Sequence, residues 1–70
     1  MISDYAERVA INHYQYGASL RAAVHAGCKR ILDRYGVEAL KSLLEHPEVS
    51  VEEMPYVEEY VDWSRSQGWV

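Results

Sequence analysis

Cys28 is the single cysteine of this 70-residue chain, and His25 stands three residues before it. That spacing puts a thiol and an imidazole on one face of a helix. A cysteine nucleophile needs such a base, and it also needs a cleft and a group to hold the developing oxyanion. The neighbouring residues point elsewhere. Val24, Cys28 and Ile31 follow one another at helical spacing in an apolar stripe, and free cysteine is among the most commonly buried residues. Cys28 is therefore expected to be structural, and no catalytic residue is assigned.

Metal chemistry fares no better. His13, His25 and His46 are not spaced four apart, and there is neither an E-x-x-H nor a C-x-x-C pattern. Glu58 and Asp62 share a helix face, where a solvated acidic surface accounts for them more simply than a cation site. No glycine-rich phosphate loop is present. No metal and no cofactor are expected.

Arg21, His25 and Lys29 recur at steps of four, with Arg30 and Arg34 beside them. A basic stripe of this kind could meet a nucleic-acid backbone, and a small dimeric DNA-binding regulator is the alternative reading of the chain. Three features oppose it. The net charge is −4. The helix after the stripe offers only Lys41 among Glu38 and Glu45. The connection between the two helices is little more than Gly36, shorter than a helix-turn-helix uses.

The stretch VEEMPYVEEYVDW, residues 51–63, is the opposite in character. It holds five carboxylates, three large aromatics and no basic residue. The charge is in fact partitioned along the chain: residues 21–44 sum to +3 and residues 45–70 to −6. Val57 and Val61 supply one side of a helix. Tyr56, Tyr60 and Trp63 lie on a neighbouring face at i, i+4 and i+7, about 100° around from it. Aromatic anchors among charges are what a protein-binding surface presents. Tyr56, Glu59, Tyr60 and Trp63 are the expected partner-binding residues.

The elements that must position these groups are all helical. Ile2, Ala6, Val9, His13, Tyr16, Leu20, Val24, Cys28, Ile31 and Tyr35 continue one stripe at steps of three and four. The pattern predicts a helix from about Ser3 to Tyr35, roughly 50 Å long, with Gly17 as its weak point and Gly36 as its stop. A second helix runs over GVEALKSLLEH and ends before Pro47. A third starts at a capping box, Ser50 with Glu53, flanked by Val49 and Met54 as a hydrophobic staple, and settles from Pro55 onward. Gly68 closes it, which leaves Trp69 to fold back or pack on a neighbour. The fold class is all-α, one domain over residues 1–70, with one long N-terminal helix and two shorter ones.

Two short helices together cover roughly 37 Å, less than the long stripe. Either the long helix bends at Gly17 or a second chain covers it. The second option predicts a homodimer through Ile2, Ala6, Val9, His13 and Tyr16; tyrosine and histidine there, in INHYQYGA, suit an interface that is partly wet.

A lone thiol fits a reducing compartment, no apolar run approaches the roughly 20 residues a bilayer requires, and the N-terminal MISDYAER lacks the pattern of a secretory signal. A cytoplasmic protein is expected. The expected function is non-catalytic: a small acidic adaptor or inhibitor that binds another protein through the third helix.

Overall fold

The computed structural model describes residues 1–68; the expectation for Trp69 lies outside them. Among the described residues there are four α-helices and no strand: α1 (Ile2–Ala10), α2 (Leu20–Tyr35), α3 (Val37–Ser42) and α4 (Met54–Ser66). A turn of π-helix, Ile11–Gln15, extends α1, and a 3₁₀ turn, Leu43–Glu45, extends α3.

The single long helix is corrected to a helical hairpin. The longest dimension of the molecule is 32 Å, too short for the continuous helix the stripe suggested. Gly17, at φ 74°, takes a left-handed turn that other residues adopt only at a cost. The carbonyl of Asn12 accepts from the Ala18 N–H at 2.8 Å, closing the end of the π-turn. Ser19 is extended and restarts the helix, its hydroxyl accepting from the Ala22 N–H at 3.2 Å, the ordinary action of an N-cap serine. The chain thus stops and restarts within four residues.

α1 then lies back along α2 in the opposite direction. At one end Asp4 meets Arg34 at 3.5 Å and accepts a hydrogen bond from the Tyr35 hydroxyl. Midway, Tyr5 and Val9 press on the bare backbone of Gly27: a methyl group built there would lie 2.9 Å from atoms of both side chains. The apolar stripe covers itself, Tyr5 and Val9 on α1 against Ala23, Val24, Cys28 and Ile31 on α2, all buried.

α3 and α4 close the core. Gly36, at φ 93° and ψ −177°, turns the chain in a conformation essentially reserved for glycine, and α3 with its 3₁₀ extension inserts Leu40 and Leu43. Val49, before the cap, is buried and Met54 packs on the same core. Ser50 accepts from the Glu53 N–H at 3.2 Å, but the capping box is only half made. The Glu53 carboxylate turns instead to the Tyr5 hydroxyl, which donates to it at 2.7 Å. This bond ties α1 to the start of α4. Val57, Tyr60, Val61 and Ser64 are the buried residues of α4.

Cys28 is buried at the centre, and burial, with the Glu53 charge adding to it, pushes its thiol up to about 12. A thiol in the unfolded chain ionises near ~8.5. Above that pH the unfolded state binds fewer protons than the native one, so stability must fall as pH rises from about 8.5 toward 12. Between pH 8 and 9.5 the melting temperature of the wild type is expected to drop more steeply than that of Cys28→Ala. Labelling by a thiol reagent at pH 8 is expected to be slow until the chain is unfolded.

Candidate functional site

The basic stripe of α2 and the acidic, aromatic face of α4 turn toward each other. They form the two walls of a cleft of about 540 Å³, within the size range of ligand pockets. Arg21, His25 and Lys29 stand on the α2 side, and Glu59, Tyr60 and Trp63 on the α4 side, with Leu32 between the polar groups. Each wall follows from helical spacing, four residues per step on α2 and one and three on α4.

Glu59 is the meeting point. Its Oε1 lies 2.7 Å from Nε of Arg21, which donates to it. It is also 2.8 Å from Nε2 of His25, although that nitrogen is not aligned for a hydrogen bond. The Arg21–Glu59 pair is exposed on both sides, so it contributes little to stability, at most about 1 kcal/mol. Its larger effect is orientation: with Nε occupied, the two terminal nitrogens of the guanidinium still have donors to offer. At the other end Lys29 is held by Asp33 at 2.7 Å.

The aromatics of α4 divide. Tyr60 is 8% exposed; its ring packs on His25 at 5.5 Å and on Trp63 at 5.5 Å, so it belongs to the core as much as to the cleft. Burial comes first among the causes that raise its hydroxyl pKa. Trp63 is 46% exposed and presents its indole at the cleft mouth. Tyr56 is half-buried against the core and does not line the cleft. Of the four expected partner-binding residues, Glu59, Tyr60 and Trp63 come together and Tyr56 stands apart.

The residues expected at a dimer interface all lie on the first arm of the hairpin, but they differ in exposure. Val9 is buried on Gly27, and Ile2 is half-buried against the core. His13 is half-buried with its Nδ1 2.8 Å from the Ala18 carbonyl. Ala6 is exposed and Tyr16 is 75% exposed. The uncovered stripe that motivated a dimer is absent, because α1 is covered by its own chain.

Sequence reasoning weighed the α2 cations as a stripe for a nucleic-acid backbone, opposed on three counts, and did not identify them as one wall of this cleft. The signal was present in the charge partition: a +3 segment and a −6 segment in one small domain have a simple way to meet. Three of the stripe's cations, Arg21, Lys29 and Arg34, are engaged by carboxylates of the chain itself. Among the described residues no group of three His, Cys, Asp or Glu side chains converges as a metal ion would require, and no helix is long and apolar enough to cross a membrane. Comparison with family profiles, curated proteins and solved structures returns no match.

Proposed function

We propose that the protein is a non-catalytic binding module, an adaptor or inhibitor, that receives a segment of another protein in the cleft between α2 and α4. The observation that carries this reading is the half-exposed Trp63 indole at the mouth of a cleft with Leu32 and Tyr60 inside and hydrogen-bond donors along the facing helix. Tryptophan, tyrosine and arginine are the residues that dominate binding energy at protein interfaces. The DNA-binding alternative has less support, since the cations it needs are in large part neutralised within the chain. A homodimer through α1 has lost the geometric argument for it.

The test compares capture from the protein's native cells by the wild type and by Trp63→Glu and Arg21→Glu, each first shown to keep the wild-type melting temperature. A partner retained by the wild type and lost by both variants is expected. Capture unchanged by either substitution would remove the cleft from the binding surface.

A further inference from the structure

The chain has seven lysines and arginines and eleven carboxylates, so acidic partners are in excess. Five of the seven cations contact one within 4.0 Å: Arg21, Lys29, Arg34, Lys41 and Arg65. Among the described residues Arg8 and Arg30 meet no carboxylate within that distance. These two come from different helices, yet they line the same groove, a shallow one of about 230 Å³ between α1 and α2. Both are half-buried, so their stems are held by packing and they have limited freedom to move apart.

The rest of the groove fits an anion. Ala26, with its small side chain, also lines it. Asn12 donates one amide N–H to the Arg8 carbonyl at 2.8 Å, which fixes the side chain and leaves its second N–H available. Lys29 adds a third cation, and Asp33, the one carboxylate lining the groove, is held by it at 2.7 Å. Asp4, outside the groove, feels the charge of Arg30 but is in ion contact with Arg34. Three cations against one carboxylate leave an excess of two positive charges. Two guanidiniums brought together without a counter-charge repel each other, and a bound oxyanion relieves that with fork-shaped, charge-assisted hydrogen bonds.

We propose that Arg8, Asn12 and Arg30 form a binding site for a phosphate dianion, either free inorganic phosphate or the monoester of a phosphorylated side chain. The charge selects the class. A dianion matches the excess of two, whereas a phosphodiester carries one charge per group and needs a longer run of cations. The neighbouring cations that could extend such a run are held by Glu59, Asp33 and Asp4. The site is separate from the binding reading of the α2–α4 cleft, although Lys29 and Asp33 border both, and either can fail without the other.

The test is a nuclear magnetic resonance titration of the isotopically labelled chain at pH 7.5 and constant ionic strength set with chloride. The probes are inorganic phosphate, a phosphoserine peptide and an oligothymidylate. Saturable shifts centred on Arg8, Asn12 and Arg30 are expected for the first two, and whichever binds more tightly identifies the source. Arg8→Gln and Arg30→Gln are each expected to weaken binding about tenfold, as the loss of a charged hydrogen bond implies. Both should melt no lower than the wild type in phosphate-free buffer, since each substitution relieves the repulsion. Tighter binding of the oligothymidylate than of phosphate would overturn the assignment in favour of a strand backbone. Unchanged phosphate affinity in both variants would overturn it outright.

Discussion

Gly27→Val is expected to lower the melting temperature by about 15 °C or more. The first atom of any side chain at position 27 would already sit 2.9 Å from Tyr5 and Val9. Neither neighbour can yield easily. Tyr5 is 1% exposed and tethered through its hydroxyl to Glu53. Val9 is β-branched, with little rotamer freedom on a helix. Overpacking a tight contact costs typically 1–3 kcal/mol and sometimes more; valine, branched at the atom that collides, belongs at the upper end. In a domain of this size about 1 kcal/mol moves the melting temperature by roughly 4–8 °C. Gly27→Ala separates the two effects, because alanine gains about 1 kcal/mol of helix propensity that offsets part of the collision. A Gly27→Val chain that melts like the wild type would mean that α1 does not rest on α2 at all. The continuous helix and its uncovered stripe would then have to be restored, and the dimer argument with them.

That contact also shows where the sequence could be read and where it could not. The apolar stripe from Ile2 to Tyr35 is compatible with one long helix and with two helices packed face to face, because each half of a hairpin needs the same periodicity. What separates the cases is local. Gly17 allows the turn, and Ser19 two residues later is an N-cap in plain view, followed by helix-forming residues. Gly27 offered a second signal: glycine inside a helix is unfavourable unless something must approach closely. The break is at Gly17 and the close approach is ten residues on. The third helix was more legible, since Ser50, Pro55, Val57 and Val61 each constrain it locally. The role of Glu53 was not, because a capping box and a long-range bond to Tyr5 compete for one carboxylate, and only the tertiary structure decides between them. The cleft was half visible for the same reason. Its α4 wall could be recognised by composition, while its α2 wall acquires meaning only once the two charged segments are seen to face each other.

Tyr60→Ala and Trp63→Ala are expected to part company, although the two rings are in contact and sit on one helix. On composition alone they are equivalent anchors. Their surroundings differ: Tyr60 is packed into the core beside His25, and Trp63 is nearly half exposed. Removing a large buried aromatic ring costs about 3–5 kcal/mol. The whole domain is stable by about 3.5–10 kcal/mol if it behaves as small proteins do. Tyr60→Ala is therefore expected to lose about a third of that stability or more and to melt far below the wild type, so a loss of partner binding in that variant says nothing by itself about the cleft. Tyr60→Phe keeps the ring and is expected to stay folded. Trp63→Ala removes less buried surface, since 46% of the residue is exposed, and should cost less than Tyr60→Ala, so it can report on binding in a folded chain. Chemical denaturation followed by circular dichroism distinguishes these outcomes. If Tyr60→Ala keeps the wild-type midpoint, the ring contributes nothing to the core and α4 does not seat against α2 as described. If Trp63→Ala unfolds with it, the indole is a structural lid over the cleft and cannot be the anchor that a partner meets.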